Sequence, residues 1–171
     1  KGVMAMFAKC YSGTISGVDA APVEIEVNSV KSTSSFTIVG LPDAAVREAK
    51  DRVSTALKNS GYHTREEFAV TVNLAPADVR KEGPIYDLPI ALCLLKATKR
   101  LFTESLDRYA MVGELSLSGE VRRVRGILPI VIEMKRIGIG TILVPAENAP
   151  EASVVSGIDV IPVRTLCEAE M

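Results

Sequence analysis

The sequence predicts an α+β fold, a mixed sheet with helices packed on it. Three observations carry this prediction. Residues 8–18, 22–30, 34–39 and 68–74 alternate apolar and polar side chains with the period of a half-buried strand. Residues 44–60 and 128–137 place their apolar side chains at helical spacing instead. Between them, 87–98 is a nearly unbroken apolar run of helix length. The chain has 171 residues. A chain of that size is expected to form one domain, burying roughly 70% of its unfolded surface.

The elements follow in order. In 22–30, Val23, Ile25 and Val27 face one way and Glu24, Glu26 and Asn28 the other. Segments 8–18, 22–30 and 34–39 read as an antiparallel meander. Leu41-Pro42-Asp43 ends the sheet, with Asp43 placed to cap a helix. Ala45, Val46, Ala49, Val53, Ala56 and Leu57 form that helix's apolar stripe. Arg47 with Asp51, and Glu48 with Arg52, are opposite charges four residues apart on a face read as solvated. Asn59-Ser60-Gly61 supplies its stop. Phe68 to Leu74 is a strand and 76–84 a polar loop. Asp87 to Thr98 is a buried helix if Pro89 lies in its first turn. Residues 108–117 and 119–124 read as a hairpin pivoting at Ser118-Gly119. Leu128 to Ile137 is amphipathic, with Pro129 in its first turn. Residues 141–144 and 159–163 are short strands separated by a helical stretch near 147–155, and 165–170 begins a last helix.

Composition excludes several function classes. Apolar residues make up 47% and charged residues 24%, with a formal net charge of -1, which is not the balance of a strongly basic nucleic-acid binder. Four Phe, four Tyr and no Trp leave few platforms for stacking on bases. Cys10, Cys93 and Cys167 lie far apart in the sequence among apolar neighbours. Without a Cys-x-x-Cys pair they read as buried free thiols of a reducing cytoplasm. No apolar run approaches membrane-span length, and no leader pattern opens the chain.

Candidate chemistries are few. A P-loop needs Gly-x-x-x-x-Gly-Lys-Ser/Thr so that backbone N–H groups and the lysine surround a phosphate. No such run exists, and no Rossmann fingerprint either. Gly138-Ile139-Gly140 follows a helix rather than opening one. His63 is the single histidine, which excludes His-rich metal sites; with Glu66 and Glu67 nearby it reads as a solvated loop residue. Glu24 and Glu26 read as a solvated strand face. No metal site and no cofactor is expected. A Ser-Lys dyad needs no histidine, since burial can lower a lysine's pKa until it serves as a base.

Three strings are long and unusual, and their joint order is specific: Ile38-Val39-Gly40-Leu41-Pro42-Asp43-Ala44, Leu57-Lys58-Asn59-Ser60-Gly61 and Val72-Asn73-Leu74-Ala75-Pro76-Ala77-Asp78. On them the chain resembles the amino-terminal domain of ComM/YifB-type proteins, the Mg-chelatase-like branch of the AAA+ ATPases. That domain is similar to the proteolytic domain of Lon, so the resemblance implies a Lon-protease-like (ribosomal protein S5 domain 2-like) fold over 1–171. It also implies an AAA+ motor downstream, which would hold ATP and magnesium.

The Lon resemblance bears on catalysis position by position. Lon-type domains carry Lys-Asp-Gly-Pro-Ser-Ala-Gly before an apolar helix, the serine being the nucleophile; this chain has Lys81-Glu82-Gly83-Pro84-Ile85-Tyr86-Asp87. Aligned on the helix, Asp87 replaces the serine; aligned on Gly83-Pro84, Ile85 does. Gly113-Glu114-Leu115-Ser116-Leu117-Ser118-Gly119-Glu120-Val121 resembles Lon's Gly-Glu-Ile-Thr-Leu-x-Gly-x-Val. Continuing without a gap, Leu128 occupies the position of the catalytic lysine. No catalytic residue is therefore expected. Ser116 or Ser118 with Lys135 is a nominal alternative dyad.

The family resemblance implies a non-catalytic module of a hexameric ring ATPase that migrates DNA branches during natural transformation. The similar domain of the recombination protein RadA also serves DNA handling without proteolysis. Partners implied are other copies of the same subunit and DNA, with no membrane. For contact with DNA the sequence offers Arg122, Arg123 and Arg125 around a strand end, with Arg80 and Lys81 in the polar loop, because guanidinium groups pair well with phosphates. The alternatives are a subunit-assembly module that does not touch DNA, and a residual peptidase.

Overall fold

The computed structural model describes residues 6–170; the opening of the chain, to which the absence of a leader refers, lies partly outside that range. A long hairpin starts the sheet. β1 (Met6–Ser16) and β2 (Asp19–Lys31) pair antiparallel from Met6↔Ser29 to Ser16↔Asp19, and Gly17 at φ +66° makes their two-residue turn. β3 (Ser35–Val39) does not return to β2. β4 (Phe68–Ala75) occupies the place beside β2, antiparallel to it, and β3 pairs parallel to β4 on the outside. The expected meander is thus corrected. A strand followed by a helix re-enters in parallel, and only the helix between β3 and β4 lets the chain cross back.

Beyond β1 the sheet continues in parallel with β5 (Tyr109–Met111), β8 (Thr141–Pro145) and β9 (Asp159–Val163), giving the order β3-β4-β2-β1-β5-β8-β9. The hairpin expected over 108–124 shrinks accordingly. Residues 109–111 belong to the main sheet, and only β6 (Glu114–Leu115) and β7 (Val121–Arg122) pair antiparallel around the Ser118-Gly119 turn.

Helices cover both faces. The expected helix over 44–60 is divided at Glu48 into α1 (Ala44–Arg47) and α2 (Ala49–Asn59). The Asp51 N–H turns to the Glu48 carbonyl at 3.0 Å, a tighter i−3 bond, and the Arg52 side chain takes the Ala45 carbonyl at the break. α3 (Asp87–Ala97) has ten of its eleven residues buried, with Pro89 in the first turn as its missing N–H requires. α2 and α3 pack on Cys10, Ile25, Val27 and Leu74. α4 (Ile127–Arg136) and the short α5 (Ala149–Ala152) cover the opposite face over Ala110, Val112, Ile142 and Val144. The last short helix, α6 (Leu166–Ala169), buries Leu166. Among the described residues no helix is long and apolar enough to cross a membrane.

The cysteines depart from expectation in two ways. Cys10 and Cys93 are buried, but they meet: their sulfurs lie 3.4 Å apart between β1 and α3. Cys167 is exposed, because α6 is a single turn that turns only Leu166 inward.

Candidate functional site

The start of α3 is the place where a Lon-type nucleophile would stand. A 3₁₀ turn, Pro84–Tyr86, leads into it. The Gly113 N–H bonds to the Ile85 carbonyl at 2.9 Å, and the Leu88 N–H to the Gly113 carbonyl at 3.0 Å, so the helix start is sewn to the strand segment 113–115.

Asp87 is fully buried there. Its carboxylate accepts from Arg52 Nε at 2.7 Å, Arg52 Nη2 at 3.0 Å and the Leu115 N–H at 3.0 Å. The fork of the guanidinium matches the two carboxylate oxygens, and the helix N-terminus favours the same charge. Burial nevertheless dominates: it pushes the Asp87 carboxyl up to about 6, against the pull of Arg52 and Leu115. Arg52 rises for the converse reason, held charged mainly by its bond to Asp87. Sequence pairing gave Arg52 to Glu48; that contact exists at 3.5 Å, but the fork belongs to Asp87. The available signal was a carboxylate opening an apolar helix, which needs a buried cation; spacing along one helix could not say which.

Of the two positions aligned with the nucleophile, substrate could reach only one. Ile85 lines an open cleft of about 500 Å³ with Thr14, Ile15, Asp43, Glu82 and Gly83 on one side and Glu114, Arg123, Val124 and Arg125 on the other. Asp87 is fully buried and takes no part in its lining. Leu128 sits half-buried in the first turn of α4 and offers no proton-accepting atom.

The nominal dyad is not assembled. The Ser116 hydroxyl lies 2.9 Å from that of Ser118 and accepts from the Glu120 N–H, whereas Lys135 extends beside Gly157; no hydrogen bond joins them. His63 is exposed, and among the described residues no group of His, Cys, Asp or Glu is arranged to hold a metal. Glu24 pairs with Lys9 at 3.0 Å, and Glu26 accepts from Asn73 at 3.0 Å.

The five basic candidates separate. Arg122, Arg123 and Arg125 are exposed, and no acidic side chain among the described residues pairs with them. Their backbone is fixed by the buried Asn148, which accepts from the Val124 N–H and donates to the Val124 carbonyl, both at 2.9 Å. Arg80 is exposed and paired with Glu82 at 3.2 Å.

Lys81 departs from the expectation of a solvated loop cation. Its side chain is buried, its ammonium donates to the Pro76 carbonyl, and desolvation pulls its pKa below the usual lysine value. The backbone explains why. The Lys81 N–H reaches the Leu41 carbonyl and its carbonyl accepts from the Asp43 N–H, each at 3.0 Å, while Asp43 Oδ2 accepts from the Gly83 N–H at 3.1 Å. Lys81 is the clasp between the 76–84 loop and the segment after β3.

Comparison with known proteins identifies the family. Residues 25–148 match the family described as subunit ChlI of Mg-chelatase. The chain is 46% identical over 140 residues to the uncharacterized protein YifB of Salmonella typhimurium, covering 82% of the chain and 27% of that protein. It is 39% identical over 158 residues to the competence protein ComM of Haemophilus influenzae, covering 92% of the chain and 31% of that protein. A weaker match, 28% identical over 156 residues, joins 84% of the chain to 18% of a Lon protease of Chloroflexus aurantiacus. The chain therefore spans about a third of the length of YifB and ComM. The seven-stranded mixed sheet and the Lon match together give a Lon-like α+β fold, and the chain belongs to the Mg-chelatase ChlI-subunit family, among its YifB and ComM relatives.

Proposed function

We propose that this domain is a non-catalytic accessory module of a cytoplasmic AAA+ ATPase that acts on DNA, and that it guides DNA past a cleft no longer used for peptide cleavage. The observation that carries the reading is the Arg52–Asp87 fork. Asp87, one of the two positions that the Lon resemblance aligns with the nucleophile, is a fully buried carboxylate engaged by three donors. An acid so placed cannot attack a carbonyl, and Leu128 cannot activate one.

Three exposed arginines without acidic partners at the cleft's rim supply the phosphate contacts: Arg123 and Arg125 line it and Arg122 stands beside them. The name of the ComM relative points to competence, and on that ground the DNA is a recombination intermediate. ATP, magnesium and ring closure into a hexamer belong to a motor outside these residues.

Fluorescence anisotropy with labelled single-stranded, duplex and forked DNA tests this at low and moderate salt. Binding that weakens as salt rises, and that Arg123→Ala and Arg125→Ala each reduce, is the expected result. If binding is absent at low salt, or is insensitive to salt, the DNA-guiding role is wrong. The domain is then a subunit-assembly module, a reading supported by its exposed Val18, Leu41 and Phe102.

A further inference from the structure

The two edges of the sheet are not alike. β9, at one end, contains Pro162, and a proline is tolerated inside a ladder where its missing N–H faces outward. That edge is therefore poor at accepting another strand. β3, at the other end, carries none of the devices that blunt an edge. Its ladder with β4 runs without a bulge from Ser35↔Ala69 to Val39↔Asn73. No charged residue and no proline occurs from Ser32 to Leu41. Among the described residues, the backbone of 35–39 makes no hydrogen bond beyond that ladder. An edge of this kind is a template for a further strand.

The apolar side chains around it are open as well. Phe36 and Ile38 pack on the core yet remain half-exposed, and Val39 is exposed. Leu41, just past the strand, is 52% exposed at φ +56°. A leucine in the left-handed region is strained. Here the bond from the Lys81 N–H to its carbonyl holds it there, with its side chain presented to solvent.

We propose that β3 is a self-association edge: two copies of this chain join β3 to β3, antiparallel, about a two-fold axis through Thr37. The sequence of the strand selects this occupant. Antiparallel pairing of Ser35-Phe36-Thr37-Ile38-Val39 with itself sets Phe36 opposite Ile38 twice, Thr37 opposite Thr37 and Ser35 opposite Val39. Aromatic with β-branched and threonine with threonine are favourable cross-strand pairs, and no like charges meet. Identical strands paired in this way satisfy two-fold symmetry without further adjustment. The contact is independent of the DNA reading and differs from one that closes a ring, which would be head-to-tail.

A five-residue ladder is about 17 Å long, well short of a standard interface, so association of the isolated chain is weak. Sedimentation over concentrations from about 10 μM to about 1 mM, the range where so small a contact would titrate, should show a monomer–dimer shift. Thr37→Lys should abolish it, because it sets two ammonium groups against each other on the axis. Thr37 is exposed, so the variant keeps its fold, which circular dichroism checks.

In a Cys167→Ser background, Thr37→Cys should give a covalent dimer with a short bis-maleimide, whereas Ser153→Cys, exposed elsewhere, should give little. Monomer throughout the concentration range overturns the proposal. So does dimerisation that Thr37→Lys leaves unchanged, or cross-linking no greater at position 37 than at position 153.

Discussion

Asp87 shows how burial and a paired guanidinium together set the behaviour of one residue. Its carboxyl is raised from the ordinary value of 3.8 to about 6. Between those values the folded state holds a proton that the unfolded state has lost, so stability falls as pH rises from about 4 to about 6. A shift of this size corresponds to roughly 3 kcal/mol. Urea titrations at pH 4.5 and pH 7, an interval that covers about 2 kcal/mol of it, should show it as a difference between the wild type and Asp87→Asn. On acidification the wild type gains relative to the variant; a constant difference would mean that Asp87 titrates normally.

Arg52→Ala removes the fork and leaves the carboxylate buried without its cation, which should cost about 3–5 kcal/mol near neutral pH. Adding Asp87→Asn to that variant should recover part of the loss, since the orphaned charge is gone. An additive double mutant would show that the two side chains do not interact.

At the level of elements, the junction from β3 into α1 is the most constrained part of the chain. Gly40 stands at φ +109°, and a Cβ there would collide with the backbone carbonyl of Leu74 on β4. Neither strand can yield without breaking the ladder. Gly40→Ala should therefore destabilise by more than about 2 kcal/mol, a loss of the class caused by strain at a special backbone position. Gly138→Ala is the comparison: its φ is +91° but nothing lies within 4 Å of the added methyl. Chemical denaturation of both separates the collision from the backbone preference that they share. Equal losses would mean that the Leu74 contact is relieved by local movement.

Elements were also where sequence reading was most and least successful. Alternation and helical period place β1, β2, β4 and α4 because each buries one face, and one-face burial writes a period into the sequence, whereas α3, buried nearly all round, shows as an unbroken apolar run of helix length. The neighbour of β3 was missed, since a strand's period says which face is buried and not which strand lies alongside. The break at Glu48 left no mark in the period; the Arg52 guanidinium bonds to the Ala45 carbonyl across it, a contact that no helical spacing announces.

For the molecule as a whole, the cleft lies at the carboxyl end of β1 and the start of α3 within a Lon-like architecture, and the proposed loss of peptidase chemistry is tested there. Unlabelled casein incubated with the chain should stay intact over many hours; cleavage abolished by Ser116→Ala would instead identify a nucleophile outside the α3 start. Salt supplies the second test at this scale. If Arg123 and Arg125 each touch one phosphate, each alanine variant should reduce the slope of log affinity against log salt by about 1. An unchanged slope with lower affinity would make them structural supports.

The sequence by itself determined the family and the fold class, because both are written in local strings and periods. Tertiary structure alone decided that Lys81 is a buried clasp, that Arg52 belongs to Asp87, that two thiols meet between β1 and α3, and that β3 is an open edge. These depend on pairings between segments far apart in the chain. The free energy of burying a charge or leaving a strand unpaired is fixed by what lies across from it, and no local pattern encodes that neighbour.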